Sequence, residues 1–247
     1  MTIERNSEFD PFASTYNRLW GAEYHAQAFP IVEKLLLSRL RTGAEVLDVC
    51  CGTGQFTARV ARAGFEVHGI DASEGMIDYA RRNAPGVEFT VADVRAFALG
   101  RKFEGGYSVF ESLNHVPDLN GLELAFQNVR HHLRTGAAFL FDLNREDAFL
   151  VYWNDTHAIV EPDHVCALRS HYDEQTRAAT CNITAFEQVK EGWKRSDFTV
   201  RQTCHEMDCV CEAVKRAGFR EVTLYDSRDL GMRGDIAFAR TFFLAMA

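Results

Sequence analysis

The sequence predicts an α/β fold: a doubly wound, mostly parallel sheet with helices on both faces, and an antiparallel β meander inserted at about residues 144–206. Up to about residue 143, short apolar runs alternate with amphipathic helical runs, as in successive βαβ units. Between 144 and 206 apolar and polar residues instead alternate with a period of two, which is typical of antiparallel strands with one solvated face. The α/β pattern then resumes to the end of the chain.

The individual elements follow from periodicity and from stop signals. Apolar residues recur at helical spacing at 55–63, after Ser73, at 118–133 and at 207–217, and each run has a terminating glycine or a capping residue. These four segments are predicted to be helices. Apolar runs predict parallel strands at 44–50, 65–70, 87–92, 107–110 and 137–143, meander strands at 164–172, 179–189 and 193–203, and final strands at 219–225 and 236–245. Only a loop separates the last two strands, so they must pair as a hairpin and the final strand must run antiparallel.

Composition narrows the function before any motif is considered. The 247 residues include 27 Lys and Arg against 35 Asp and Glu, a net charge of −8, and an acidic surface repels nucleic-acid phosphates. The longest apolar runs are about half the ~20 residues that a membrane helix needs. The N-terminal residues lack the order of a signal peptide. We therefore expect a cytoplasmic protein that binds neither nucleic acid nor membranes.

The seven cysteines indicate neither a disulfide framework nor a metal site. No C-x-x-C pair occurs, and the cluster of Cys204, His205, Cys209 and Cys211 fits no common zinc spacing. We expect reduced thiols and no metal.

A glycine-rich turn and three strand-end acids carry the chemistry. The turn Asp48-Val-Cys50-Cys-Gly52-Thr-Gly54 follows the first strand, and glycine there lets the backbone approach a ligand closely. Asp71 and Asp93 end the next two strands, so with Asp48 they lie at the carboxyl edge of the sheet, where ligands of open α/β sheets bind. Each acid alone could be a helix cap. Together with the turn they predict a nucleotide-like ligand.

The same turn argues against a dinucleotide. The third glycine of a dinucleotide site is replaced by Thr57, and Asp48 would repel a pyrophosphate but suits a positively charged ligand. A nicotinamide-dependent reductase is therefore disfavoured.

At this point the sequence resembles the class I S-adenosylmethionine-dependent methyltransferases, in particular those that act on small molecules. The resemblance rests on segments 46–54, 69–71, 91–93, 109–111 and 133–136 and covers nearly the whole chain. It implies a seven-stranded sheet with one reversed strand and S-adenosylmethionine as cofactor. It also implies that residues 1–41 form an N-terminal helical lid and 42–247 the cofactor-binding domain, with 144–206 as a substrate cover or a homodimer interface.

The resemblance further implies roles for individual residues. Gly52 and Gly54 would cradle the methionine portion, Asp71 would hold the ribose hydroxyls, and Phe110 would place its backbone near the ligand ammonium. The remaining expected cofactor contacts are Tyr16 of the lid, Asp48, Cys50, Ala72, Met76, Asp93 and Val94. Related lids often carry Tyr-Asp where this chain has Tyr16-Asn17, so the role of Asn17 stays open.

The expected reaction transfers a methyl group to a nitrogen or oxygen of a small-molecule acceptor. A general base matters only if the nucleophile arrives protonated. His115 and Glu111 are the candidates, while His115 and its neighbour Asn114 could equally only structure their loop. Tyr172 and Trp153 could line an acceptor pocket or belong to the core. A nucleic-acid methyltransferase and a non-catalytic S-adenosylmethionine-binding protein remain as alternative functions.

Overall fold

A seven-stranded mixed sheet forms the centre of the protein. The computed structural model describes residue 7 and residues 9–247, and the strands of this sheet are β1 (Glu45–Val49), β2 (Glu66–Asp71), β3 (Glu88–Val91), β4 (Phe103–Ser108), β5 (Leu133–Asn144), β10 (Glu221–Asp226) and β11 (Arg240–Met246). Their order is β10-β11-β5-β4-β1-β2-β3. Strand β11 pairs antiparallel with both β10 and β5, as the hairpin argument predicts.

Helices cover both faces of this sheet. On one face α5 (Leu119–His132) and α7 (Met207–Arg216) pack against alternate side chains of β5 such as Phe139 and Phe141. On the other face α2 (Ala22–Leu35) and α3 (Gln55–Arg62) pack against Leu140 of β5, and α4 (Glu74–Asn83) lies beside α3. Because β5 is apolar on both faces, both helix layers can bury their apolar stripes against it.

A second sheet of four antiparallel strands forms the insertion. It contains β6 (Thr156–Glu161), β7 (His164–Asp173), β8 (Ala178–Val189) and β9 (Gly192–Thr203) in sequential order. The meander prediction is confirmed, but it has four strands rather than three, and α6 (Glu146–Tyr152) precedes it. Strand β6 was missed because its residues are mostly exposed, so no buried face imposes an alternating pattern.

Two predicted strand boundaries were wrong in ways that matter for function. Strand β4 ends at Ser108, so Phe110 lies in a turn beyond it. Strand β11 begins only at Arg240, after a short 3-10 helix, Asp235–Ala237. The apolar run extends beyond the end of β4 and begins before the start of β11, and apolarity alone cannot mark where the sheet hydrogen bonds end or begin.

The N-terminal helices divide into two parts. A 3-10 helix (Asp10–Phe12) and α1 (Ala13–Leu19) lie over the carboxyl edge of the large sheet, whereas α2 packs into its core through buried residues such as Tyr24 and Ile31. Of the lid predicted at residues 1–41, the described segment up to Trp20 covers this edge, α2 belongs to the core, and residues 1–6 and 8 lie outside the described residues. No helix in the described part of the chain is long and apolar enough to cross a membrane.

Candidate functional site

A cavity of about 730 Å³ lies between the carboxyl edge of the large sheet, the N-terminal segment and one face of the small sheet. Strand order reverses between β1 and β4 at this edge, which is where open α/β sheets bind ligands. Most of the predicted cofactor residues line it: Tyr16, Cys50, Gly52, Asp71, Ala72, Met76, Asp93, Val94 and Phe110. The two exceptions are Asp48 and Gly54.

The glycine turn between β1 and α3 brings backbone to the cavity wall. Cys50, Gly52 and Gly54 all have positive φ values, of 59°, 53° and 71°. A Cβ on Gly52 would lie 3.6 Å from Tyr16 Cε1, so this glycine keeps the floor open below the tyrosine ring. A Cβ on Gly54 would lie only 2.8 Å from the backbone of Ala80 in α4. Gly54 therefore allows α3 and α4 to pack closely, outside the cavity.

Asp71 is held in a fixed orientation at the end of β2. Its Oδ2 accepts the Gly52 amide hydrogen bond at 2.9 Å, and its Oδ1 accepts that of Ser73 at 2.9 Å. Burial raises the pKa of this carboxyl, while the two amides oppose the rise. Each carboxylate oxygen has a second lone pair, so Asp71 can still accept hydrogen bonds from a ligand.

Asp48 lies beneath the turn. It is fully enclosed, and its Oδ2 accepts hydrogen bonds from Thr57 Oγ1 at 2.6 Å and Tyr107 OH at 2.8 Å. Burial raises the pKa of Asp48 to about 7 against the opposing effect of those two bonds. Its influence on a ligand is therefore electrostatic and indirect.

Asp93 lies at the far side of the cavity and is bound by an arginine two residues along the chain. Arg95 approaches both carboxylate oxygens, with Nε 2.9 Å from Oδ1 and Nη2 2.5 Å from Oδ2. Arg95 itself lines the cavity, as do Ala72, Met76 and Val94. This combination of apolar side chains around one acid suits an aromatic ring with a hydrogen-bond donor.

The N-terminal segment is fastened over this site. Asn17 Oδ1 accepts hydrogen bonds from Asn83 Nδ2 at 2.6 Å and from Gln55 Nε2 at 3.2 Å, which ties α1 to α4 and α3. Tyr16 is thereby placed over the cavity, and burial, with Glu111 and Asp71 nearby, raises its pKa. The structure thus gives Asn17 a tethering contact that the sequence left open.

The turn after β4 has an unusual backbone. Phe110 and Glu111 are consecutive non-glycine residues with positive φ, 65° and 43°. Such a conformation costs on the order of 1–3 kcal/mol per residue and persists only where its surroundings enforce it. Here the Phe110 amide lies 2.8 Å from Asp142 Oδ1 and the Glu111 amide 3.1 Å from Asp142 Oδ2.

Three residues of this arrangement were missed by the sequence analysis: Tyr24, Asp142 and Arg240. Tyr24 OH donates to Asp142 Oδ1 at 2.8 Å, and the Tyr24 ring stacks on Phe110 with centroids 4.5 Å apart. Arg240 Nη1 contacts carboxylate oxygens of both Asp142 and Glu111. The available signal was Asp142 itself, because an acid within an apolar central strand requires a buried partner.

Glu111 is consequently not a free base. Burial raises its pKa and the Arg240 guanidinium opposes that rise, and the ion pair occupies the carboxylate that would have to accept a proton. The general-base role of Glu111 stays a prediction, and the structure shows this carboxylate paired with Arg240.

His115 lines the cavity but is restrained on both ring nitrogens. Its Nδ1 lies 2.6 Å from the carbonyl oxygen of Arg201, and since a carbonyl can only accept, Nδ1 carries the hydrogen. Nε2 is then the acceptor, 3.3 Å from Gln202 Nε2. Burial lowers the pKa of His115 to about 4. The imidazole is therefore neutral near pH 7 and a weak proton acceptor.

The other polar and aromatic candidates divide between core and cavity. Asn114 donates to Thr203 O at 2.9 Å and accepts from the Asn144 amide at 3.0 Å, which is a structural role in the loop. Tyr172 donates to Glu146 at 2.9 Å and lies outside the cavity, whereas Trp153 lines it.

The inner face of the small sheet closes the cavity opposite the large sheet. Its contribution is largely apolar and comes from all four strands: Ile159, Leu168, Ser170, Cys181, Ile183, Val200 and Gln202. Strand β9 is joined to the loop after β4 by Asn114, His115 and by Thr203 Oγ1, which donates to Pro117 O at 3.0 Å. The sheet is thus held against the site.

The residues present fit the cofactor that the resemblance implies. Asp48 and Asp142 are buried and Asp71 and Glu111 are half-buried at or beneath the carboxyl edge of the large sheet, and Arg240 is the cation paired with Glu111 and Asp142. This excess of carboxylates over cations favours a ligand with positive charge. Within the described residues no group of three or more potential metal ligands occurs.

Comparison with known proteins agrees with this geometry. Residues 46–136 match the family described as "Methyltransferase domain". The chain is 31% identical over 122 residues to dTDP-3-amino-3,4,6-trideoxy-alpha-D-glucopyranose N,N-dimethyltransferase of Streptomyces venezuelae, which covers 49% of this chain and 51% of that one. It is 34% identical over 156 residues to the ubiquinone biosynthesis O-methyltransferase of Xanthomonas axonopodis pv. citri, which covers 58% and 63%. Both alignments thus span less than two thirds of those enzymes.

The fold extends further than the sequence similarity. The CcbJ methyltransferase of Streptomyces caelestis superposes with a TM-score of 0.79 at 18% identity and covers 99% of each chain. The small sheet and the N-terminal helices therefore belong to a shared architecture.

Proposed function

Because this chain is a class I S-adenosylmethionine-dependent methyltransferase, we propose that it transfers the methyl group to a small-molecule acceptor held between the two sheets, and that the accepting atom is an amine nitrogen. One observation carries the proposal. A single cavity runs from the acidic edge of the large sheet to the apolar face of the small sheet, and its 730 Å³ fall within the roughly 300–1,000 Å³ of small-molecule sites.

The roles of the cofactor residues follow from their positions. Asp71, oriented by two backbone amides, would accept from the ribose hydroxyls, and Asp93 with Val94 would meet the adenine edge beside Ala72 and Met76. Gly52 and Cys50 would offer backbone to the methionine portion, with Tyr16 above and Phe110 opposite. Asp48 and Gly54 do not line the cavity. Asp48 would influence the ligand through its charge, and Gly54 would allow α3 and α4 to pack closely.

Methyl transfer requires mainly that the acceptor atom be aligned with the methyl group of the donor. S-adenosylmethionine supplies a methyl group already activated by its sulfonium. The protein holds the acceptor on the other side of the cavity and excludes water, and alignment of this kind can contribute on the order of 7–11 kcal/mol. The N-terminal segment and the small sheet together provide the enclosure.

Both predicted bases, Glu111 and His115, are restrained by partners, and this favours nitrogen over oxygen. A neutral amine attacks with its lone pair before any proton leaves, whereas an alcohol must lose a proton at the same time. The carboxylate of Glu111 is engaged with Arg240, and His115 has its pKa lowered to about 4 by burial. His115 Nε2 already accepts from Gln202 Nε2, so its single lone pair is not available to an acceptor. The Streptomyces venezuelae relative, named as an N,N-dimethyltransferase of an amino sugar nucleotide, supports this choice.

Transfer to oxygen is the second candidate, supported by the similarity to the ubiquinone biosynthesis O-methyltransferase. A homodimer and a cytoplasmic location also remain predictions. The seven free thiols suit the latter.

The test has two stages. Calorimetric titration with S-adenosylmethionine, S-adenosylhomocysteine, NADH and NADPH should show binding of the first two alone. Amino sugar nucleotides should then be compared with the same compounds carrying hydroxyl in place of amino. Methylation of the amines but not of their hydroxyl counterparts is expected. The reverse preference would overturn the nitrogen assignment, and binding without turnover across a broad panel would favour a non-catalytic role.

A further inference from the structure

We propose that Arg240 is a positioning residue for methyl transfer: by pairing with both Glu111 and Asp142, it holds the Phe110–Glu111 turn in the backbone conformation that shapes the cavity floor. This inference rests on the proposed function, since it concerns the same cavity. Arg240 is only 3% exposed, and no sequence motif points to it.

The topology of the sheet explains how an arginine near the C-terminus reaches this turn. Arg240 is the first residue of β11 and pairs with Asn144, the last residue of β5. Because β11 is the reversed strand, its beginning lies at the edge where the parallel strands end. If β11 were parallel to the other strands, its last residue rather than Arg240 would lie at this edge.

The contacts bring three charges to one point. The same nitrogen of Arg240, Nη1, contacts Asp142 Oδ2 and Glu111 Oε2, so the two carboxylates face each other across it. Arg240 Nε donates to Ile236 O at 2.8 Å, which fixes the guanidinium plane. Its Cζ lies 4.8 Å from the centroid of the Tyr24 ring, which stacks on Phe110.

Charge explains why the turn depends on this arginine. Asp142 accepts hydrogen bonds from the backbone amides of Phe110 and Glu111. The carboxylate of Asp142 therefore holds the same stretch of backbone that bears the Glu111 side chain. Without the guanidinium, two buried carboxylates would repel each other, and Glu111 could escape only by changing the turn. Phe110, Glu111 and Ser112 line the cavity, so a changed turn changes the donor site.

The experiment measures donor binding as well as turnover. In Arg240→Gln the Kd for S-adenosylhomocysteine should rise and kcat should fall, each by at least about tenfold, because one buried charge partner is removed. Arg240→Lys should recover most of both values, since it restores the charge without the full geometry. In the double variant Arg240→Gln/Glu111→Gln the donor should bind at least about threefold more tightly than in Arg240→Gln, because the repulsion is gone.

Arg145→Gln is the matched control. Arg145 also contacts β11, donating to Thr241 Oγ1 at 2.7 Å and pairing with Asp226 at 2.9 Å, but it does not line the cavity. This variant should lower Tm and leave the donor Kd unchanged. Wild-type affinity and kcat in Arg240→Gln, measured well below its Tm, would overturn the inference, as would a double variant no better than the single one.

Tyr24→Phe keeps the inference testable if Arg240→Gln does not fold. It removes only the hydroxyl that bonds Asp142 and the Phe110 amide, and it should raise the donor Kd severalfold at little cost in Tm. An unchanged Kd would contradict the dependence of the donor site on this turn. Failure of the wild-type protein to bind the donor would instead contradict the proposed function.

Discussion

The Gly52 amide donates a 2.9 Å hydrogen bond to Asp71 Oδ2, joining the glycine turn of one strand to the acid that ends the next. The adjacent Cys51 amide donates to Ile70 O at 2.9 Å, which extends the β1–β2 pairing into the turn. The predicted contacts to the methionine portion and to the ribose are therefore joined in one unit, and the Asp71 carboxylate is oriented before a ligand binds.

Asp71→Ala should weaken donor binding by about 1–3 kcal/mol, because it removes strong polar contacts from an enclosed site. Calorimetry with S-adenosylhomocysteine measures this directly. Asp78→Ala is the control, since Asp78 lies on the exposed face of α4, where its carboxylate pairs with Arg81. Equal affinity of the two variants would show that the ribose lies elsewhere.

Asn17→Ala should loosen the lid. The variant loses the two hydrogen bonds that Asn17 Oδ1 accepts from Gln55 and Asn83, each worth about 0.5–1.5 kcal/mol, and keeps the bond from Gln55 to its backbone carbonyl, so the donor should dissociate faster in a stopped-flow displacement experiment. Asn17→Asp keeps a carboxylate oxygen that can accept both side-chain bonds and should behave like the wild type. Asn182→Ala, at an exposed position of the small sheet, should leave the dissociation rate unchanged. A normal rate in Asn17→Ala would mean that the lid does not limit release.

Asp48→Asn should change the pH dependence of stability. Burial raises the pKa of Asp48 to about 7, above its value in the unfolded chain, so the folded state holds this proton more tightly. The wild type therefore loses stability as the pH rises from about 4 through 7. The variant has no such loss and keeps an oxygen to accept from Thr57 and Tyr107, so its Tm relative to the wild type should increase from pH 5 to pH 8.

Asp197→Asn tests the sign of that argument. The Arg195 side chain lowers the pKa of Asp197, so the variant should lose stability relative to the wild type as the pH rises from 3 to 5. A Tm difference for Asp48→Asn that is flat with pH would contradict the raised pKa.

Gly54→Ala should destabilise the fold by about 1–3 kcal/mol, because the new Cβ would combine a strained φ with a 2.8 Å approach to Ala80. Gly136→Ala is matched in φ, at 82°, but has open space around the added Cβ. Urea denaturation should show a larger loss for Gly54. Equal losses would mean that α3 and α4 move apart easily.

The pH profile of kcat/KM with an amine acceptor should lack an inflection from His115 between pH 5.5 and 8.5. Burial lowers the pKa of this imidazole to about 4, so it stays neutral throughout that range and the acceptor amine's own ionisation shapes the curve. His115→Gln should lower the rate without changing the profile. An inflection near 6.5 that disappears in this variant would make His115 the general base.

The sequence alone determined the elements that local patterns encode. Helical stripes, alternating strands and the glycine turn depend on residues two to four positions apart, so the α/β order, the meander and the reversed last strand could all be predicted. Three acids at strand ends could likewise be assigned to one sheet edge, because parallel strands end on the same side. Strand β6 and helix α6 escaped because few of their residues are buried.

Only the tertiary structure decided which side chains meet. Arg240 reaches Asp142 across 98 residues, and Asn17 reaches Asn83 across 66. It also showed that Asp48 and Gly54 act from behind the cavity wall and that His115 and Glu111 are restrained by partners. Hydrogen bonds and ion pairs of this kind depend on distances between distant segments, and those distances are set by strand order and direction, which no local periodicity records.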